Sequence, residues 1–156
     1  MTFLIRPQAE PRSAYKVFRN IGTRWSDNDL YGHVNNVVYY SWFDTAINGL
    51  LIERDALDIH TGNVIGLVIE TQCNYFAPLA FPEPVVAGIR VAHIGTSSVR
   101  YEIALFSDQP GLGAEDQLCA AKGHLTHVYV DRATRRPLAS LSSFPSKLLS
   151  VLETLK

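Results

Sequence analysis

The chain has 156 residues, 47% of them hydrophobic and 19% charged, with a formal net charge of −1. That length suits a single domain with a core of its own, needing no disulfide or metal staple. The near-zero charge removes any global electrostatic reason to bind nucleic acid, and no apolar run reaches membrane-spanning length. The two cysteines, Cys73 and Cys119, fall in different strand-like runs without Cys-x-x-Cys spacing. They read as buried free thiols, and zinc is unsupported. The first residues, Met1 to Pro11, hold no long apolar region and no small-residue cleavage site, so the chain is expected to be cytoplasmic.

Met1 to Arg12 holds two prolines and lacks periodicity, which predicts a loose arm. Tyr15 to Arg24 reads as a first strand. Tyr39, Phe43, Ala46, Ile47, Leu50 and Leu51 then recur at helical spacing, widened by Val37, Val38, Tyr40 and Trp42. The spacing predicts a helix over about 36–54, and a helix apolar on most sides must be wrapped by other structure. Four strand-like runs follow, over about 67–75, 85–91, 98–105 and 117–130, each alternating apolar and polar residues as an antiparallel strand with one buried face does. Pro78 to Pro84 separates the first two runs, Gly95-Thr96-Ser97 marks a tight hairpin, and Pro110 to Gly113 a longer loop. Ser143 or Ser146 is placed to start a short C-terminal helix, within about 144–156, carrying Leu148, Leu149, Leu152 and Leu155. There is no internal repeat or interdomain linker. The order predicts an α+β domain over 1–156, a long antiparallel sheet wrapped around one central helix.

The densest chemistry lies between the first strand and the helix, in Arg24-Trp25-Ser26-Asp27-Asn28-Asp29-Leu30-Tyr31-Gly32-His33-Val34-Asn35-Asn36. Asp27 and Asp29 lie two residues apart and share one side of an extended segment. Either is equally at home as a turn or capping carboxylate. Gly32 lets the backbone turn sharply and come close to a ligand. Asn35 and Asn36 sit where Asn caps helices. The first N–H groups of a helix have no internal partner and stand at its positive end, where they can bind a developing oxyanion. His33 titrates near neutral pH and can relay a proton, or simply shape the turn. A calcium loop is excluded, because Tyr31 and Val38 stand where oxygen ligands are required.

Asp-x-Asp-x-x-Gly-His-Val-Asn-Asn followed by an aromatic helix resembles the hotdog-fold acyl-CoA thioesterases of the 4-hydroxybenzoyl-CoA thioesterase type. It is also similar to the plant acyl-ACP thioesterases, which share His-Val-Asn-Asn. The resemblance runs over roughly residues 15 to 140. It implies the hotdog fold and an acyl-CoA thioesterase with Asp29 as general base or nucleophile. It further implies the Asn36 N–H as the group that polarises the thioester carbonyl and His33 as an assisting residue. Tyr31 departs from the plant pattern, which has Asn there, and so favours the acyl-CoA branch. Tyr31, Gly32, Val34, Asn35, Tyr39, Tyr40 and Phe43 become candidate walls of the acyl site. Asp44 matches an acid that contacts the polar end of an aromatic acyl group in the hydroxybenzoyl-CoA enzymes. Glu70 is read as a structural or surface group rather than a cleft residue.

Gly95, Thr96, Ser97 and Ser98 resemble the segment that lines the pantetheine channel. Arg90, Arg100, Arg135 and Arg136, with Lys122 and Arg132, are candidates for the CoA phosphates. The expected partners are an acyl-CoA and a second copy of the chain, in a homodimer or tetramer, with no nucleic acid and no membrane. No metal or redox cofactor is expected, the CoA being part of the substrate. A non-catalytic acyl-CoA-binding module, an acyl-ACP thioesterase and a hotdog hydratase are the competing readings.

Overall fold

The computed structural model of the protein describes residues 5–156. A 3-10 turn at Arg12–Ala14 precedes strand β1, Val17–Ile21. A second 3-10 turn at Trp25–Asp27 leads into helix α1, Asn36–Glu53. Strands β2 (Val64–Tyr75), β3 (Val85–Ile94), β4 (Ser98–Ser107) and β5 (Ala121–Asp131) follow, and helix α2, Ser146–Glu153, ends the chain. The five strands form one antiparallel sheet in the order β1-β3-β4-β5-β2. Its inner face curls around α1. This is the hotdog architecture that the resemblance implies.

The helix holds its place through burial. Tyr39, Trp42, Phe43, Ala46, Ile47, Leu50 and Leu51 are buried against the inner faces of the strands, among Ile89, Tyr101, Ile103, Leu105, Leu125 and Tyr129. Each large side chain taken out of water there contributes about 1.5–3 kcal/mol. The α1 boundaries agree with the apolar periodicity. Leu148, Leu152 and Leu155 of the C-terminal segment close the same core. No described helix is long and apolar enough to cross a membrane.

Several boundaries differ from the sequence expectation, each for a local reason. β1 ends at Ile21, because the chain beyond it turns and the Arg24 N–H is taken by the Asp27 carboxylate at 2.7 Å. β5 starts at Ala121 rather than Gln117, because Leu118 bridges to Pro11 instead of to a strand. That bridge also corrects the expected loose arm. The Cys119 N–H donates to the Glu10 carbonyl, and the Arg12 N–H to the Gln117 carbonyl. The Glu10 carboxylate lies 2.9 Å from Arg90. The rest of the expected arm, residues 1–4, lies outside the described residues. Of the two candidate serines, Ser146 starts the final helix, whereas Ser143 ends a 3-10 turn.

The close approach of β5 to β2 and α1 rests on Gly123. A Cβ at that position would stand 1.9 Å from the Gln72 carbonyl oxygen and 2.8 Å from Phe43 Cε2. Gly123→Ala is therefore expected to lower stability by about 3 kcal/mol, the upper range for overpacking. The midpoint of urea unfolding measures it; an unchanged midpoint would mean that the sheet and helix have room to spare.

Candidate active site

The acidic turn is held by a buried carboxylate. Asp27 is completely buried, and its carboxylate accepts from the Arg24 N–H and from the Arg24 guanidinium at 2.8 and 3.0 Å. Its carbonyl accepts from the Asn35 N–H at 2.8 Å. Asp27 thus ties the start of the turn to the start of α1. Asn28 fastens the turn to the loop beyond β2: its Oδ1 accepts from the Phe81 N–H at 2.9 Å, and its Nδ2 donates to the Phe81 carbonyl at 3.4 Å. The Val34 N–H donates to the Leu79 carbonyl at 2.8 Å.

Asp29 is placed differently. It is half-buried, and Oδ1 accepts from the Tyr31 N–H at 2.8 Å and, more weakly, from the His33 N–H at 3.4 Å. Its Oδ2 has no partner among the described residues, so one carboxylate oxygen is free for chemistry. Between them, Gly32 has φ +79°, a backbone conformation that a side chain resists. That angle is the physical reason for glycine here.

At the helix start, the Asn35 side chain accepts from the Val37 N–H at 3.2 Å, as an N-cap does. The Asn35 carbonyl takes the Val38 N–H, and the Asn35 N–H is spent on Asp27. The Asn36 N–H is left without a partner among the described residues, at the positive end of an eighteen-residue helix. Asp29, His33, Val34, Asn36, Tyr39, Tyr75, Phe76, Ala77 and Pro78 line one cavity of about 380 Å³. Trp25, Asn28, Asp29, Leu30, Gly32 and Asn35 line an adjoining one of about 660 Å³. Asp29 stands on the border of the two. The Tyr75 hydroxyl donates to the Asn36 carbonyl at 3.0 Å, and its ring meets Tyr39 edge-on. Burial lifts the Tyr39 hydroxyl to a pKa of about 12 and the nearby Cys73 thiol to about 11, so both stay protonated at neutral pH.

Of the candidate acyl-site residues, Gly32, Val34, Asn35 and Tyr39 gather at these cavities. Tyr31 is exposed beside them. Phe43 is fully buried in the core and Tyr40 packs edge-on against it, so neither is a cavity wall within the chain. Asp44 is exposed on α1, bonded to the Asn48 side chain. Glu70 pairs with His124 on the outer face, as a surface group.

Among the candidate phosphate-binding groups, Arg90 is committed elsewhere. It is held by Glu10 and Glu102 and stacks over Tyr15 at 4.6 Å, on the sheet face away from α1. Lys122 lies 3.5 Å from Glu10 in the same network. Arg100 bonds to His124, and Arg132 to the carbonyls of Gly62 and Ile59. Arg135 and Arg136 are exposed just beyond β5, and Gly95 to Ser98 turn between β3 and β4. Both groups lie at the end of the sheet where β2 begins, whereas the Asp29 turn lies where β2 ends, about 36 Å away along a strand of this length. The chain alone does not bring them together. Asn28, Tyr75 and the Phe76–Pro78 wall are site residues that the sequence reading passed over, because loop and strand-end positions carry no periodicity.

A folded hotdog with a carboxylate and an unpaired helix-start amide in one cavity belongs to a recognisable class, that of thioester hydrolases. The comparisons agree. The model of the thioesterase superfamily matches residues 31–114, more than half of the chain, and the protein belongs to that superfamily. The PA5185 protein of Pseudomonas aeruginosa strain PAO1 is 48% identical, with a TM-score of 0.85 over 96% of this chain and 97% of that one. A thioesterase of Thermus thermophilus, solved with coenzyme A and Zn, is 24% identical, with a TM-score of 0.67 over 89% of this chain and 96% of that one. The Bacillus subtilis protein YsmA is 21% identical over 97 residues, covering 62% of this chain and 65% of its own length.

The two acids are expected to separate by experiment. Asp27→Asn loses the charge-assisted bonds to Arg24 and should lower the melting temperature by roughly 5 °C. Asp29→Asn should shift it by no more than about 2 °C. Thermal denaturation followed by circular dichroism reads both. Equal shifts would remove the division between a structural and a free carboxylate.

Proposed function

We propose that the protein hydrolyses acyl-CoA thioesters, RCO–S–CoA plus water giving the free acid and CoA. The observation that supports this most is the pairing of an unpartnered Asp29 oxygen with the unpartnered Asn36 N–H at one cavity. Asp29 acts on the reacting carbonyl as general base, taking a proton from water, or as nucleophile through an anhydride that water then opens. In either course the carbonyl oxygen gains charge as the tetrahedral centre forms. The Asn36 N–H and the positive end of α1 stabilise it. Collapse breaks the C–S bond and expels the thiolate, which takes up a proton. His33, exposed on the same cavity, is placed to supply it.

The acid should matter to turnover more than to binding. Asp29→Asn is expected to lower kcat by roughly 10²–10⁴-fold, the range for a positioned acid or base, with KM little changed. Free-thiol release from a panel of short, medium, long and aromatic acyl-CoAs measures it. Near-normal turnover in the variant would remove Asp29 from the mechanism. Saturable binding without thiol release would favour a binding module instead.

The active unit is a dimer joined along β2. That strand is one of the two edges of the sheet, and Leu67, Val68 and Ile69 are exposed on it, Ile69 at 62%. An edge of this kind presents unpaired N–H and C=O groups to a second copy. Antiparallel pairing of two β2 strands sets the start of one beside the end of the other. It thereby carries the Gly95–Ser98 turn, Arg135 and Arg136 of one protomer toward the Asp29 turn of its partner. Light scattering at micromolar concentration should give twice the 17.4 kDa of the chain or a multiple of that. Ile69→Lys should shift the population toward 17.4 kDa and reduce activity with it. An active monomer would contradict the shared site.

A further inference from the structure

A second cavity, of about 210 Å³, lies between the far half of α1, the segment after it, and the beginning of β2. Leu57, Ile59, Val64 and Ile65 make it apolar on one side, and Asn48 and His127 line the other. His127 is only 2% exposed and sits on β5, on the inner face with Leu125 and Tyr129. A histidine that deep needs partners. Its Nδ1 lies 3.4 Å from the Tyr129 hydroxyl, which lies 2.6 Å from the Tyr101 hydroxyl. Its Nε2 has no partner among the described residues. Every fully buried side-chain polar atom there is paired, so Nε2 is not sealed off and opens to the cavity.

Run from the phenols toward the ring, this chain brings a donor to the cavity. Burial raises the pKa of both phenols, so each keeps its proton. Burial lowers His127 to about 4, with the Asp44 carboxylate pulling weakly the other way, so the ring is neutral at pH 7. With Tyr101 donating to Tyr129 and Tyr129 to Nδ1, the neutral ring carries its proton on Nε2. In that arrangement the cavity holds the Nε2–H donor and Asn48 among largely apolar walls. A carboxylate would face Asp44 unfavourably. A neutral oxygen would not, and a hydroxyl can also donate to the Asn48 side-chain oxygen.

In one protomer this cavity is far from Asp29: Asn36 and Asn48 are about 18 Å apart along α1. Across paired β2 edges the start of one strand meets the end of the other, which brings the cavity beside the partner's Asp29 turn. We infer that this cavity receives the distal end of the acyl group, with the His127 Nε2–H donating to a neutral oxygen there, so that the enzyme prefers hydroxy- or oxo-acyl groups over plain hydrocarbon chains of the same length. The inference rests on the acyl-CoA reading and the β2 dimer above, and names the substrate class they leave open.

The experiment compares acyl-CoA pairs of equal length that differ only by a terminal hydroxyl. In the wild type, kcat/KM by thiol release is expected to be about 10–100-fold higher for the hydroxylated member. His127→Phe, which keeps the ring and removes the donor, should abolish that preference; His127→Gln, which keeps an N–H, should retain part of it. Non-hydrolysable thioether analogues of each pair give the same comparison as affinities. They are read together with the ¹⁵N imidazole resonances of His127 in the wild type, which need no variant. A resonance shift and tighter binding with the hydroxylated analogue alone support the inference even if no acyl-CoA is hydrolysed, in which case the hydrolase reading fails by itself. Equal turnover and equal affinity for the two members, or an unmoved His127 resonance, overturn it.

Discussion

The geometry of the acidic turn depends on one buried carboxylate. Asp27 gives its side chain to Arg24 and its carbonyl to the Asn35 N–H, and this pair of bonds fixes where α1 begins. Once Asn35 is held there, its Oδ1 and its carbonyl serve the amides of Val37 and Val38. The Asn36 amide is left without a partner among the described residues. A helix normally hides or solvates its first N–H groups. Here capping is arranged around a gap. That amide stands at the positive end of the helix, on the cavity that Asp29 also lines.

The same wrapping that buries α1 divides the functional groups. The sheet closes around the helix in the order β1-β3-β4-β5-β2, which leaves β2 on an edge with its apolar residues exposed. It also sends the Asp29 turn to one end of α1 and the hairpin of Gly95 to Ser98 to the other. The acidic turn thus stands at one end of the chain and the candidate CoA-binding groups at the other. An antiparallel contact along the open edge is the simplest symmetric arrangement that joins them, because a two-fold axis exchanges the two ends.

Much of this was legible in the sequence, and the reason differs by element. Tyr39, Phe43, Ile47 and Leu50 repeat at helical spacing over so many residues that α1 and its burial follow directly. Alternation fixed the existence of four long strands. Their ends were less legible, because Leu118 and Pro11 pair through long-range bonds that no local pattern announces. The turn was legible through the resemblance, yet the separate duties of Asp27 and Asp29 were not, since two acids of one type differ only in what surrounds them. The basic residues were the least legible. Arg90 reads as a phosphate ligand until Glu10, Glu102 and Tyr15 are seen to occupy it. His127 did carry a signal: it falls in the same alternation as Leu125 and Tyr129, on the face that the helix covers.

That placement bears on why the core tolerates a polar chain at all. Apolar side chains of similar size at positions 101, 127 and 129 would fill the space between α1 and β5 without the desolvation that two phenols and an imidazole incur. The structure offsets part of that cost internally, by linking the three side chains end to end. The linkage nevertheless leaves Nε2 unused, and a purely structural chain has no need of that last atom. A tyrosine pair alone would leave one phenol proton without an acceptor. The neutral histidine offers Nδ1 to the Tyr129 hydroxyl and lines the cavity beside Asn48. A pre-oriented polar group that a ligand must desolvate gives large discrimination between ligands that do and do not complete it, because the penalty of leaving it unmet falls only on the wrong ligand. The arrangement at His127 thus follows the same logic as the one at Asn36. In both places the named neighbours are paired around one nitrogen that has no partner among the described residues.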